Sequence, residues 1–229
     1  MLIPFLISSR DRLQTLETMV EWAKMIPNVR VVIGDNESSY TPLLDYLSDL
    51  ESHPEKGIEV VRFGSNCGPR GVFRIPLNGA RFFVVTDPDL DMSGVPLDVI
   101  DVCREQLLRD ETLVKVGCAL SLDGLDPSHV AVGREAEYWD ISRRQLMSAG
   151  GRMIEAYSAP IDTTFAVYHA DRAADHYGPA LRLAGEYACQ HRPWHYTPNN
   201  LPADERYYLD HLAPAGLFYS PRLKAELSS

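Results

Sequence analysis

Three aspartates alternate directly after an apolar run in the first half of the chain. Asp87, Asp89 and Asp91 follow the stretch Phe82–Thr86. Carboxylates this close repel one another unless a positive charge lies between them. A hard divalent cation such as Mg²⁺ or Mn²⁺ takes carboxylate oxygens as ligands, so the string is a candidate metal site. The alternative is a solvated acidic turn in which one aspartate caps the next helix.

The segment before these aspartates carries the opposite charge. Residues 60–86 contain four arginines and no acidic residue, in a chain with a formal net charge of −10. Arginine suits bidentate recognition of phosphate oxygens. Arg70 lies in the glycine-containing loop 64–71 and is the best candidate for such a contact. A carboxylate-bound cation beside this loop would suit a diphosphate; ordinary surface charge is the alternative.

Asp162 is the candidate general base. It lies among apolar residues in the segment Pro160–Phe165, which predicts a buried carboxylate with a raised pKa. Such a group takes the proton from an acceptor hydroxyl as that hydroxyl attacks. The alternative is an aspartate that caps a turn with Thr163 or Thr164.

The elements that must position these residues follow an α/β pattern in the first hundred residues. The predicted strands are Leu2–Ile7, Val29–Ile33, Ile58–Phe63 and Phe82–Thr86. The predicted helices are 11–25, a helix opening at Thr41-Pro42, and a short one over Gly71–Gly79. This alternation implies parallel strands joined by right-handed crossovers. The polar segments after the strands (8–10, 34–36, 64–66 and 87–89) then share the rim at which open α/β sheets bind ligands.

The second half of the chain is less regular. The expected elements are a helix over Leu97–Arg109, a strand over Leu113–Leu122, a loop over Asp123–His129, a strand ending at Tyr168, and a helix over Pro202–Leu212. Asp204 and Glu205 are interpreted as the acidic start of that last helix. Because no linker interrupts the pattern, one domain is predicted.

Composition excludes several classes of protein. The chain has 229 residues, of which 45% are hydrophobic and 24% charged, which is typical of a globular protein and not of a disordered one. The acidic balance disfavours nucleic acid and anionic membranes as partners. Four widely spaced cysteines argue against a zinc ribbon or a disulfide scaffold. Without an apolar run of about 18 residues, no membrane span is predicted and a cytoplasmic location is expected.

Four segments together resemble the nucleotide-sugar half of a family 2-like glycosyltransferase with the GT-A fold. They are 7–13 (Ile-Ser-Ser-Arg-Asp-Arg-Leu), 31–39 (Val-Val-Ile-Gly-Asp-Asn-Glu-Ser-Ser), 66–71 (Asn-Cys-Gly-Pro-Arg-Gly) and 83–89 (Phe-Val-Val-Thr-Asp-Pro-Asp). They match, in order, the first strand and its turn, the second strand and its Asp-Asp-Gly-Ser segment, an Asn-x-Gly segment, and the strand that ends in a metal-binding DxD. A fifth segment, 191–194 (His-Arg-Pro-Trp), resembles one near the C-terminus of several GT-A enzymes.

The resemblance implies a fold and a set of roles. The fold is a single Rossmann-like domain over 1–229, with a mixed, mostly parallel sheet flanked by helices. Residues 1–100 would bind the nucleotide sugar and 101–229 the acceptor. The implied nucleotide-sugar contacts are Ser8, Arg10, Arg12, Asp35, Asn66, Arg70, Asp87 and Trp194. The implied ligands of Mn²⁺ or Mg²⁺ are Asp87, Asp89 and His191. A Pro-Trp loop packed on the core is the alternative for the last segment.

The predicted function is metal-dependent transfer of a sugar from a nucleoside diphosphate sugar to a carbohydrate or other hydroxyl acceptor. Segments around Gly150-Gly151 and 196–200 are candidates for a closing lid. Tyr138-Trp139 and Tyr207-Tyr208 are interpreted as core aromatic residues, with a carbohydrate platform as the alternative. Two other functions stay open: a nucleotidyltransferase, and a non-catalytic nucleotide- or sugar-binding protein of the same fold.

Overall fold

The computed structural model of the chain describes residues 2–211. The strands are β1 (Ile3–Ser9), β2 (Val29–Asp35), β3 (Ile58–Arg62), β4 (Phe82–Thr86), β5 (Leu90–Asp91), β6 (Lys115–Cys118), β7 (Arg144–Ala149), β8 (Arg152–Ser158), β9 (Ala166–His169), β10 (Ala180–Leu183) and β11 (Gln190–His191). The helices are α1 (Leu13–Lys24), α2 (Thr41–Ser52), α3 (Val99–Arg109), α4 (Val130–Ala136) and α5 (Ala203–His211).

Nine strands form one mixed sheet in the order β3-β2-β1-β4-β9-β6-β10-β8-β7. The first four are all parallel. Strand β9 then runs antiparallel between β4 and β6, and the hairpin β7–β8 closes the far edge. This confirms the predicted single domain with a mixed sheet, mostly parallel at its core and flanked by helices.

The apolar pattern explains why the central strands lie inside. In β1, Phe5, Leu6 and Ile7 are consecutive and fully buried, as expected for a parallel strand covered on both faces. Phe5 and Ile7 belong to a cluster with residues of α1, α2 and α3, whereas Leu6 belongs to a second cluster. Helix α1 contributes buried residues at i, i+3, i+4 and i+7: Leu16, Met19, Val20 and Ala23.

Strand register brings the polar ends of the first strands to one rim. Ser9 pairs with Asp35, Asp35 pairs with Arg62, and Ile7 pairs with Thr86. The loops that follow these strands therefore start at one edge of the sheet.

Several boundaries differ from the prediction. The short helix expected over Gly71–Gly79 is a single 3₁₀ turn, Gly71–Arg74; Pro76 follows, and proline has no amide hydrogen with which to extend a helix. The strand expected over Leu113–Leu122 spans only Lys115–Cys118. Helix α4 and the hairpin β7–β8 were not among the predicted elements. The last helix begins at Ala203, and its predicted end at Leu212 lies outside the described residues.

The candidate lid segment around Gly150 and Gly151 is a hairpin turn. These two glycines make the tight turn of the hairpin β7–β8 at the sheet edge, with φ angles of 56° and 77°. Glycine reaches such angles without the steric cost that other residues incur, which explains its presence in this turn.

Gly117 allows β6 to approach the chain beside it. A Cβ atom at this position would lie 2.0 Å from the carbonyl oxygen of Phe165. None of the helices within residues 2–211 combines the length and the apolar character needed to cross a bilayer.

Candidate active site

A cavity of about 420 Å³ opens beyond the carboxyl end of β4. Six of the predicted site residues line it: Arg12, Asp87, Asp89, Asp162, His191 and Trp194. They come from both halves of the chain, so the fold brings together segments that the sequence separates by up to about 180 residues.

Asp87 and Asp89 lie on the cavity wall, close enough for their negative charges to interact. Asp87 accepts a hydrogen bond from the Thr163 hydroxyl at 2.5 Å, and its amide donates to the Thr163 carbonyl at 3.1 Å. Asp89 is only 3% exposed, and within the described chain its Oδ1 has no hydrogen-bond partner. Burial, and then the charge of Asp89, raise the pKa of Asp87 well above its usual value. The charge of Arg12 opposes this shift but does not cancel it, so the pair still favours an added cation.

A two-stranded ribbon places His191 beside Asp89. Strand β11 pairs with β5 so that His191 lies opposite Leu90, and the Arg192 amide donates to the Asp89 carbonyl at 2.9 Å. The Nε2 atom of His191 lies 3.6 Å from Oδ2 of Asp89. Burial lowers the pKa of His191 although the charge of Asp89 opposes this shift. A neutral imidazole, the form that binds metals, is therefore favoured.

The third aspartate of the string has a different role. Asp91 accepts a hydrogen bond from the Ser93 amide at 3.0 Å and forms an ion pair with Arg192 at 3.3 Å. Among the described residues, Asp91 is not one of those that line the cavity. Its pairing with Arg192 also means that this arginine does not face the cavity aspartates.

Arg12 is the cation nearest to Asp89. Its Nη1 lies 2.9 Å from Oδ2 of Asp89, and its Nε and Nη2 donate to Glu205 at 2.6 and 2.8 Å. Its guanidinium also stacks on the Tyr208 ring, 3.8 Å from the centroid. Arg12 therefore bridges the metal-candidate aspartate and helix α5. Asp204 links α5 to α1, because it accepts a hydrogen bond from the Gln14 amide at 2.7 Å.

The predicted nucleoside-binding residues form a hydrogen-bonded rim outside this cavity wall. Asp35 is buried and accepts from the Ser38 amide at 3.2 Å and from Arg62 at 3.4 Å. The side chain of Asn36 donates to Asn66 at 3.1 Å and accepts from the Cys67 amide at 2.6 Å. The second and third loops of the sheet are thereby held together.

Asp11, which the sequence analysis did not single out, joins the first loop to this rim. It accepts hydrogen bonds from the Ser39 and Tyr40 amides at 2.6 and 2.9 Å, just before α2. Asp11 is buried and has a φ of 56°, an uncommon conformation for a residue other than glycine. Ser8 and Arg10 flank it on the rim, and Nε of Arg10 lies 3.7 Å from the Asp11 carboxylate.

Arg70 does not line the cavity. Its guanidinium stacks on the ring of Tyr177, 3.9 Å from the centroid, and that tyrosine does line the cavity. The structure therefore places Arg70 behind the wall, where it orients an aromatic ring.

Two solved structures share this arrangement of strands and helices. A mannosyltransferase, PcManGT from Pyrobaculum calidifontis, in complex with GDP-Man and Mn²⁺, superposes on 93% of this chain with a TM-score of 0.51 and 14% identity. GalNAc-T7, with UDP, GalNAc and Mn²⁺, superposes on 83% with a TM-score of 0.56 and 10% identity. The chain has the GT-A fold. It spans about half of each neighbour, 52% and 43% of those chains. No protein-family model and no curated protein matches the sequence.

Within this GT-A fold, Asp87, Asp89 and His191 fit a divalent cation by their chemistry. Two carboxylates and a neutral imidazole are ligands that Mn²⁺ accepts, and the buried Oδ1 of Asp89 is an acceptor still lacking a donor. Over residues 2–211, no three His, Cys, Asp or Glu side chains already stand close enough to hold a metal ion. Arg12, rather than a third ligand, lies against Asp89.

The predicted burial of Asp162 is wrong. Its side chain is exposed on the cavity wall of the GT-A domain, and its neighbour Ile161 takes the buried position. The backbone before it is fixed from inside the protein: Arg182 donates to the Pro160 carbonyl at 2.7 Å, and Lys115 donates to the Ile161 carbonyl. Asp162 thus stands at the end of a rigid segment, in contact with solvent.

Proposed function

We propose that this chain is a metal-dependent glycosyltransferase that moves a sugar from a nucleoside diphosphate sugar to an acceptor hydroxyl. The observation that supports this most directly is the meeting of Asp87, Asp89 and His191 on one cavity wall at the carboxyl end of the central strand β4. Ligands at this edge are typical of open α/β sheets. The two GT-A neighbours were solved with a nucleoside diphosphate or its sugar and Mn²⁺.

The metal ligands would be Asp87, Asp89 and His191, with Mn²⁺ or Mg²⁺ as the ion. When bound, the ion neutralises charge that develops on the departing diphosphate, as a Lewis acid does. The protein contributes a neutral imidazole and two carboxylates whose mutual repulsion favours cation binding. Thr163 orients Asp87 through its hydroxyl.

The donor would extend from the rim into the cavity. Ser8, Asp35 and Asn66 are the proposed contacts of the nucleoside, and Arg10, Arg12 and Arg70 are the arginines proposed for the diphosphate. In this structure Arg12 is paired with Asp89 and Arg70 is stacked on Tyr177, so both would change partners to reach a phosphate. Trp194 is buried in the wall beside His191 and is proposed to contact the transferred sugar.

Asp162 is the proposed general base. Its carboxylate is exposed on the cavity wall, where an acceptor can reach it. The segment that carries it also carries Thr163, which holds Asp87. Because one segment carries both residues, it holds the base at a fixed position relative to a proposed metal ligand. Proton transfer requires such a fixed geometry.

The experiment compares two aspartates of the same string. Asp89→Asn is expected to lower turnover of nucleotide sugar about 100-fold or more, because a catalytic cation supplies several kcal/mol of stabilisation. Asp91→Asn is the matched control, since Asp91 pairs with Arg192 outside the cavity wall, and it is expected to keep most of the activity. Wild-type turnover in Asp89→Asn would rule out the proposed metal chemistry.

A second candidate is a non-catalytic nucleotide-sugar-binding protein of the same fold. The observation that favours it is the ion pair of Arg12 with Asp89, which already places a cation beside the aspartate. Thermal shift by a nucleoside diphosphate, with no turnover of any sugar nucleotide, would select this candidate. A nucleotidyltransferase is disfavoured because the loop after β1, Ser8-Ser9-Arg10, contains no glycine.

A further inference from the structure

The cavity has a second wall, built by three segments that do not carry the proposed metal ligands. Glu135 and Tyr138 come from the end of α4 and the turn after it. Asp162 comes from the segment between β8 and β9, and Tyr177 from the loop between β9 and β10. The donor proposal assigns no role to Glu135 or to either tyrosine. We call these four residues the distal wall.

Two buried cations hold the distal wall in place. Arg182, 4% exposed, forms an ion pair with Glu135 at 2.5 Å and donates to the Pro160 carbonyl. Lys115, 2% exposed, donates to the carbonyls of Ile161 and, at 2.7 Å, His176. These hydrogen bonds and the ion pair partly offset the cost of burying each charge, and they tie both cations to the segments of the distal wall.

The two cations act as a unit because their strands are neighbours. Strand β6, with Lys115, pairs in parallel with β10, with Arg182. Together they fix two consecutive carbonyls of the segment that leads to Asp162. Lys115 also reaches the loop of Tyr177, and Arg182 reaches the turn of Tyr138.

Both tyrosines of the distal wall are oriented by guanidinium groups. Arg182 lies 4.4 Å from the ring centroid of Tyr138, and Arg70 lies 3.9 Å from that of Tyr177. Tyr177 is nevertheless 72% exposed. Stacking of this kind is worth about 0.5–1 kcal/mol at exposed sites, enough to bias the orientation of a ring that solvent surrounds.

We propose that the distal wall is the acceptor subsite and that it takes a carbohydrate. A pyranose ring has apolar C–H faces, which pack on aromatic rings, and a hydroxyl edge, which hydrogen-bonds to charged planar groups. Tyr138 and Tyr177 supply the rings, and the exposed carboxylate of Asp162 supplies a charged planar group. A lipid chain would instead require a continuous aliphatic surface, whereas this wall is aromatic and ionic. The inference rests on the proposed function.

The experiment titrates methyl pyranosides of glucose, mannose, galactose, N-acetylglucosamine and glucuronic acid and follows saturation-transfer NMR. At least one is expected to bind, and Tyr177→Ala is expected to weaken it about tenfold, the equivalent of about 1.4 kcal/mol. Tyr177→Phe is the matched control, because it keeps the ring, and its affinity is expected to stay near wild type. Tyr177 is exposed, so neither variant disturbs the core.

Two results would overturn the assignment: binding of none of the pyranosides, or equal affinity in Tyr177→Ala and the wild type. A parallel titration with GDP, UDP and Mn²⁺ separates this inference from the proposed function. Nucleotide binding without pyranoside binding rejects the acceptor subsite alone. Pyranoside binding that depends on Tyr177, without nucleotide binding, supports carbohydrate binding at the distal wall but rejects the proposed function and, with it, the role of the wall as an acceptor subsite.

Discussion

Replacing Arg12 by methionine removes the cation that links Asp89 to helix α5. Arg12 contacts Asp89 at 2.9 Å and Glu205 at 2.6 and 2.8 Å, and both carboxylates are buried. Removing one partner of a buried ion pair costs about 3–5 kcal/mol, because the other charge stays buried without compensation. For a domain of this size, 1 kcal/mol shifts the melting temperature by about 2–4 °C. Arg12→Met is therefore expected to melt roughly 6–12 °C or more below the wild type.

The same variant reports on the metal site without any measurement of catalysis. Mn²⁺ bound at Asp89 would restore the missing positive charge, so the rise in melting temperature caused by MnCl₂ should be larger in Arg12→Met than in the wild type. Arg10→Met is the matched control, since Arg10 lies 3.7 Å from Asp11 and does not contact Asp89. Equal melting temperatures for the two variants, or an equal effect of Mn²⁺ on Arg12→Met and the wild type, would refute the reasoning.

Two further predictions concern the buried strand residues. Burial lowers the pKa of Lys115 from 10.5 to about 8, so the folded state binds fewer protons than the unfolded state between these values. Relative to Lys115→Met, the wild type should therefore gain stability as the pH rises from about 8 to 10.5, by on the order of 3 kcal/mol; urea unfolding of both proteins across that range measures the difference. Gly117→Ala should cost about 3 kcal/mol in the same assay because of the contact with the Phe165 carbonyl, whereas Gly133→Ala, in the open space of α4, should gain up to about 1 kcal/mol. A stability difference between the wild type and Lys115→Met that stays constant above pH 8, or a Gly117→Ala protein as stable as Gly133→Ala, would contradict these two expectations.

The parallel half of the fold was predictable because its signals are local. The buried run in β1, the helical spacing of α1 and the proline at the start of α2 each act within one element. The hairpin β7–β8 carried one local signal, the turn pair Gly150-Gly151, which was interpreted as a candidate lid. Five of the six residues of β7 are not buried, so the strand lacks the alternation that marks a half-buried strand.

The candidate site was predictable only where a motif carried it. Asp87 and Asp89 follow a buried strand, and His191 lies in a recognisable segment. The partner of Arg12 was not predictable, because Glu205 lies 193 residues away and its acidic position at a helix start has an ordinary explanation. Asp162 shows the reverse error: its apolar neighbours predicted burial, but Ile161 and Phe165 are buried while Asp162 is exposed.

Calorimetric titration of GDP and UDP in Mn²⁺ and in EDTA tests the central claim most directly, with wild-type protein and Asp89→Asn side by side. The account predicts that at least one nucleotide binds in Mn²⁺. It also predicts that EDTA and Asp89→Asn each weaken this binding about tenfold or more, which corresponds to about 1.4 kcal/mol. Absence of binding by both nucleotides, or an affinity that neither EDTA nor Asp89→Asn changes, would contradict a metal-dependent nucleotide-sugar site in this cavity.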